Sequence, residues 1–226
     1  MAWETDAGSA AEKVVEAGGR LCYMSFGKGR KTNREYIHNI LEAKHGSVIE
    51  HATWTFLLTG VSRSLTHELI RHRAGFSFSQ LSQRYVDETD TDFVVPEAIA
   101  GNPEAMAVFE RATAAAQEAY VQLVDLLDKQ FAEIGNRTLR RKMARQAARS
   151  VLPNATETKI VVTANARSWR HFIEMRASSY SEPEIRRLAI TILRVLQAEA
   201  PNLFGDYEIT TAEDGSEVAV TEYSKV

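Results

Sequence analysis

Thr156-Glu157-Thr158-Lys159-Ile160-Val161-Val162-Thr163-Ala164-Asn165-Ala166-Arg167-Ser168-Trp169-Arg170-His171-Phe172-Ile173-Glu174-Met175-Arg176-Ala177 is a strand running straight into a capped helix. Thr156 to Ala164 is rich in β-branched residues, which fit a pleated surface. Asn165 can offer its side-chain oxygen to the open N–H groups of a helix over Ala166 to Ala177. On that helix Trp169, Phe172, Ile173 and Arg176, spaced 0, 3, 4 and 7, share one stripe. Arg167 and His171 lie on the opposite side. An arginine that extends an apolar stripe is an odd place for an unpaired charge. Either its stem snorkels past the core to solvent, or two faces of one helix serve two different polar pockets.

Outward from this stretch the chain is mostly helical. His51-Ala52-Thr53-Trp54-Thr55-Phe56-Leu57-Leu58 alternates with period two and reads as another strand. Ser9 to Tyr23, Thr32 to Lys44 and Ser62 to Arg73 read as helices, the last stopping at Gly75. Phe26 to Lys31 reads as a flexible basic loop, and Tyr85-Val86 and Asp92 to Val95 as short strands before Pro96. Asn102-Pro103 opens a long helix through Phe109, Tyr120 and Leu127 towards Gly135. Asn136 caps a basic helix ending at Pro153, with Leu139, Met143, Ala147 and Val151 inward. Pro183 to Pro201 is a further helix, and Tyr207-Glu208-Ile209 and Val218-Ala219-Val220 flank Asp214-Gly215 as a hairpin. With no internal repeat or low-complexity linker, the expectation is an α+β fold: a single domain over 1–226, helix-rich around a small, mostly antiparallel sheet.

Composition narrows the function classes. The 27 Lys+Arg against 30 Asp+Glu give a net charge of −3, so any anion site is local and a nonspecific nucleic-acid binder is disfavoured. Cys22 is the only cysteine, which excludes an intrachain disulfide and a thiolate zinc cluster. It reads as a buried structural thiol. No run approaches eighteen apolar residues, and Met1 to Asp6 has neither the basic start nor the apolar core of a signal peptide. A cytoplasmic protein with no membrane or nucleic-acid partner is expected.

Arg71-His72-Arg73-Ala74-Gly75-Phe76-Ser77-Phe78-Ser79-Gln80-Leu81-Ser82-Gln83-Arg84-Tyr85 carries the densest chemistry. Arginine forks bind phosphates bidentately, and amides and hydroxyls read a heterocycle edge, so the segment suits a phosphorylated, flat ligand. Consecutive helix residues point about 100° apart, so the cationic triplet shares a pocket only where the helix unwinds. The bland alternative is a charged helix end facing the dipole. His67 and His72 are five apart, not the four that would face one metal, so no metal site is expected. His45 to His51 reads equally as a ligand-bearing loop or as a turn capped by Gly46. Of the basic helix, Arg149 is best placed to reach inward. No Gly-x-Gly-x-x-Gly follows a strand, against a dinucleotide fold of the usual sort.

These pieces, in this order, resemble the flavin-dependent thymidylate synthases. The resemblance rests on Arg71-His72-Arg73 with Ser82-x-Arg84-Tyr85, Arg20-Leu21-Cys22-Tyr23, His45 through His51, Arg149 with Leu152-Pro153, and Asn165-x-Arg167 through His171-Phe172 to Arg176. It spans residues 20 to 200, with two departures. Eight residues separate Arg73 from Ser82, one more than the commoner family spacing, and the apolar strand that usually opens the family is missing at the N-terminus. The resemblance implies conversion of dUMP to dTMP with 5,10-methylenetetrahydrofolate, and with NADPH as reductant through FAD. The Pro-Cys-His motif of ordinary thymidylate synthase does not occur; by resemblance an arginine polarises the uracil instead, and Arg176 matches it as the catalytic residue. The implied dUMP contacts are Glu68, Arg71, Gln80, Leu81, Ser82, Gln83, Arg84, Arg149 and Arg176. The implied FAD contacts are Ser47, Glu50, Arg71, His72, Arg73, Gln80, Asn165, Ala166, Arg167 and His171. A homotetramer with active sites shared between subunits is also implied.

Overall fold

A computed structural model describes residues 3–226; Met1 and Ala2, where the segment lacking signal-peptide character begins, lie outside the described residues. The helices are α1 (Ala10–Tyr23), α2 (Asn33–Glu42), α3 (Gly46–Ile49), α4 (Arg63–Leu69), α5 (Glu97–Ala100), α6 (Pro103–Gln130), α7 (Arg137–Ala148), α8 (Ala166–Arg176), α9 (Pro183–Glu199) and α10 (Pro201–Phe204). The strands are β1 (Thr53–Ser62), β2 (Phe76–Gln80), β3 (Glu157–Asn165), β4 (Tyr207–Thr211) and β5 (Glu217–Thr221). One sheet has the order β1-β3-β2; the other is the antiparallel hairpin β4-β5, in register from Tyr207 opposite Thr221 to Thr211 opposite Glu217. This is the expected α+β class. Among the described residues no helix is long and apolar enough to cross a membrane.

The helix starts follow their caps. Ser9, Asn102, Asn136 and Asn165 each accept a backbone N–H from the first turn of α1, α6, α7 and α8. Thr32 and Glu35 close a reciprocal capping box on α2.

The chain divides into two compact units, one of residues up to Phe56 with Arg71–Ser77 and Val162–Val226, the other of Leu57–Ile70 with Phe78–Val161. In the first unit Val15, Ile37, Ile49, Trp169, Phe172, Ile173, Ile185, Leu193 and Phe204 are buried, so the apolar stripe of α8 faces the core as its spacing dictates. Arg170 is buried on the same helix. Its Nη1 and Nη2 donate to Asp206 at 2.7 Å each, and Nη1 also donates to the Leu203 carbonyl. In the second unit Leu65, Leu69, Tyr120, Ala144, Ala148 and Ile160 are buried.

Several expectations give way. Helix α4 stops at Leu69 rather than Arg73, because the chain must turn through Gly75 (φ 74°) into β2. A side chain at Gly75 would come within 2.0 Å of the Ser168 hydroxyl, so glycine is required there. Tyr85 and Val86 form no strand; both N–H groups donate to the Ser82 carbonyl in a turn. Asp92 to Val95 reduces to a single bridge between Phe93 and Thr156. Helix α7 turns Ala144 and Ala148 inward while Leu139, Ala147 and Val151 are exposed. Ion pairs of Arg140 with Asp128 and Arg145 with Asp87 hold that rotation. Cys22 is exposed on α1 rather than buried. The basic loop is tied down: the Arg20 guanidinium donates to the carbonyls of Ser25, Lys28 and Arg30.

Candidate active site

In the first unit, β3 ends at Asn165, whose side chain caps α8 at 2.9 Å from the Ser168 N–H. The first turn of α8 therefore starts at a fixed point, and Arg167 and His171 stand on its exposed face. Arg167 Nη1 meets Glu50 Oε1 at 2.8 Å, and both side chains remain close to half exposed. Ser168 Oγ donates to the Ala74 carbonyl at 3.0 Å, holding the turn that follows the cationic triplet. Together with Gly75 and His171 these residues line a cavity of about 480 Å³. Ser47 stands beside Gly46, where any side chain would come within 2.8 Å of Arg167 Nε. Ala166 is fully buried, its N–H donating to the Ala52 carbonyl, so it supports the cavity from behind.

Arg71, His72 and Arg73 lie beyond the end of α4, outside any helix. Arg71 and Arg73 are exposed and His72 is half-buried. The His72 ring packs edge-on against Phe172 at 5.2 Å and lies 6.0 Å from His171. Its Nε2 accepts the Arg176 Nε–H at 2.9 Å. Burial, and then the charges of Arg176 and His171, push the His72 pKa down to about 4. The imidazole is therefore neutral at pH 7 and free to accept. Arg176, at the end of the apolar stripe, is held by this acceptor rather than merely snorkelling. Arg71 and Arg73 flank His72 as exposed cations, and Arg167 and His171 stand exposed on α8 at the cavity wall; arginine forks of this kind suit a phosphate-bearing ligand.

The second unit holds the Ser/Gln segment. Gln80 Nε2 donates to Thr66 Oγ1 at 3.1 Å and Thr158 Oγ1 at 3.3 Å. Leu81 is pinned by its N–H to the Lys159 carbonyl and by its own carbonyl to Arg63 Nη2. Gln83 is buried, and its Nε2, like Arg84 Nε, has no hydrogen-bond partner among the described residues. Buried donors of this kind call for a polar ligand or water. Ser82, Arg84 and Glu68 are half-buried, as is Arg149 in the 3-10 turn Arg149–Val151. Arg63, not singled out by the sequence reading, is a further cation here. Burial lowers its pKa, Glu88 opposes that, and the nearby charge of Arg149 lowers it further. Its position directly after Ser62, the cap of α4, was the available signal.

A family described as "Thymidylate synthase complementing protein" matches residues 5–202. The flavin-dependent thymidylate synthase of Mycobacteroides abscessus is 54% identical over 222 residues, 97% of this chain and 88% of that protein. Those of Mycolicibacterium gilvum and Mycobacterium marinum are 55% and 52% identical over the same shares. A family match over residues 5–202 and near-complete coverage by these relatives define the class, a flavin-dependent, methyl-transferring enzyme. The chain belongs to the flavin-dependent thymidylate synthase family, whose members transfer a methyl group.

Proposed function

We propose that this chain methylates dUMP reductively to dTMP, with 5,10-methylenetetrahydrofolate as carbon donor and NADPH as reductant through FAD. The observation that carries the reading is α8 itself. One face presents Arg167 and His171 beside Glu50, and the other ends in Arg176 held by a neutral His72. Arg71, His72, Arg73, Ser47, Glu50, Gln80, Asn165, Ala166, Arg167 and His171 would hold FAD. Bound flavin supplies the reducing equivalents. Arg84 and Arg149 suit the phosphate of dUMP. Glu68, Arg71, Gln80, Leu81, Ser82 and Gln83 complete the nucleotide contacts.

Arg176 acts on the uracil. Its guanidinium, at the O2/N3 edge, stabilises the negative charge that grows there as C5 becomes nucleophilic. The bond to His72 fixes the guanidinium plane, because a neutral imidazole can accept the Nε–H and an imidazolium cannot. No protein nucleophile is needed: Cys22 Sγ is exposed on α1 and donates to the Gly18 carbonyl at 3.4 Å.

A homotetramer with shared active sites is part of the reading, supported by the exposed apolar side chains Val108 and Leu126 of α6. A free, exposed thiol suits a reducing cytoplasm. The test is tritium release from dUMP labelled at C5, with methylenetetrahydrofolate and NADPH, with and without FAD. Release that requires FAD is expected; no release, or release indifferent to FAD, overturns the reading.

A further inference from the structure

The second unit holds a cavity of about 490 Å³, walled by residues 86–92, by Glu157, Thr158 and Lys159 at the start of β3, and by Leu81. Leu81 apart, none of these residues is among the flavin or nucleotide contacts proposed above. Asp87, Glu88, Asp90, Asp92 and Glu157 set five carboxyl groups in the wall against one cation, Lys159. FAD, dUMP, NADPH and a reduced folate all carry negative charge, so a wall of this sign repels each of them and attracts a cation.

The loop that forms most of the wall is held from three elements. The Tyr120 hydroxyl of α6 accepts the Glu88 N–H at 3.3 Å, and Gln117 Nε2 of the same helix donates to the Thr89 carbonyl at 2.6 Å. Arg145 of α7 donates to the Tyr85 carbonyl at 2.7 Å and pairs with Asp87. On β3 the Glu157 N–H donates to the Asp92 carbonyl at 2.9 Å. Asp87 thus has its charge answered inside the protein.

Glu88 is different. It is 3% exposed, and its Oε1 has no hydrogen-bond partner among the described residues. A buried carboxylate is costly unless a charge or a donor meets it. Burial pushes the Glu88 pKa up; a hydrogen bond from Thr91 and the charge of Arg63 work against this, yet the pKa still lies above the ordinary carboxylate value. A cation entering the cavity supplies what Glu88 lacks. Among the described residues no group of three or more His, Cys, Asp and Glu side chains could hold a metal ion, which favours an organic cation. Leu81 and Val86 add apolar surface to the wall, along which methylene groups can lie. Asp90 and Asp92, exposed on the loop, offer further anionic positions.

We propose that this cavity binds an aliphatic polyamine, with one ammonium on Glu88, another on Asp90 or Asp92, and the methylenes between them along Leu81 and Val86.

Calorimetric titration of the FAD-loaded protein with spermidine tests this. Saturable single-site binding is expected. Glu88→Gln keeps the shape of the side chain and removes its charge, so Kd should rise by about tenfold or more, the usual effect of losing a charge-assisted contact. Asp90→Asn/Asp92→Asn, at exposed loop positions, should weaken binding likewise and carries the test should the buried substitution impair folding. Magnesium chloride at matched ionic strength is the control and should leave the spermidine isotherm in place. Magnesium binding that displaces spermidine and is lost in Glu88→Gln would assign the cavity to an inorganic ion and overturn the proposal. So would no spermidine binding, or binding unchanged in both variants. The titration involves neither dUMP nor turnover, so its outcome is separate from that of the thymidylate synthase reading.

Discussion

Asp206→Ala leaves one of the most deeply buried charges of the first unit without its counter-ion. Arg170 and Asp206 are 2% and 7% exposed, and the variant removes two charge-assisted bonds of 2.7 Å. The Leu203 carbonyl at 2.7 Å and the Tyr223 carbonyl at 3.3 Å remain, but neither neutralises a guanidinium. Breaking a buried pair by removing one partner costs about 3–5 kcal/mol, mostly because the other charge stays buried. The upper half of that range is expected here, since Asp206 also accepts from Thr221 on β5 and so ties the hairpin to α8. Urea unfolding followed by far-UV circular dichroism measures it, with the variant expected at a much lower midpoint. The control is Arg170→Met/Asp206→Leu, which removes both charges and should recover much of the loss. A loss under about 1 kcal/mol for Asp206→Ala would refute the reasoning, as would a double variant no better than the single one.

Arg73→Ala/Arg167→Ala should release FAD while leaving the circular dichroism spectrum intact; stoichiometric flavin retained through gel filtration would defeat the cofactor assignment. Cys22→Ser and Ser82→Ala should each keep methyl transfer, the latter with weaker dUMP binding, and mass spectrometry that trapped a covalent dUMP adduct on either side chain would overturn the mechanism. His72 supplies a pH test. Its folded pKa of about 4 lies below the usual 6.5, so the folded protein binds fewer protons than the unfolded one between those values. Its contribution is fully present above pH 6.5 and is lost as pH falls towards 4, by on the order of 1–2 kcal/mol once solvent screening of a half-exposed ring is allowed for. His72→Gln should flatten this part of the profile; an unchanged slope would place the titration elsewhere.

What the sequence disclosed was local. Ser9, Thr32, Asn102, Asn136 and Asn165 act within three residues of themselves, and the α8 stripe is a matter of spacing alone. What it hid was distant. Arg170 reads as one more helix charge because its partner lies 36 residues on. The end of α4 is set by β2 joining the sheet beside β3, a pairing no helical period announces. Cys22 occupies the outer side of α1, and the inward face of α7 follows ion pairs to Asp128 and Asp87 rather than its own apolar residues. Among the candidate site residues, the exposed cations and the capping Asn165 were legible. The clamp of His72 on Arg176 was not, because its partners lie 104 residues apart.

That clamp is where the account is most directly tested. On the proposed role, Arg176→Ala removes a group that would stabilise charge on the uracil, an interaction stronger in the transition state, so turnover should fall along with dUMP affinity. Losing one preorganised donor typically costs about 3 kcal/mol, roughly a hundredfold in rate. Arg176→Lys keeps the charge but loses the planar fork and the Nε–H that His72 accepts, so it should also be badly impaired. The measurement is tritium release from C5-labelled dUMP, read beside the flavin spectrum of each variant. The account predicts bound flavin with turnover down by about two orders of magnitude; near-normal turnover in Arg176→Ala, or loss of flavin in its place, contradicts it.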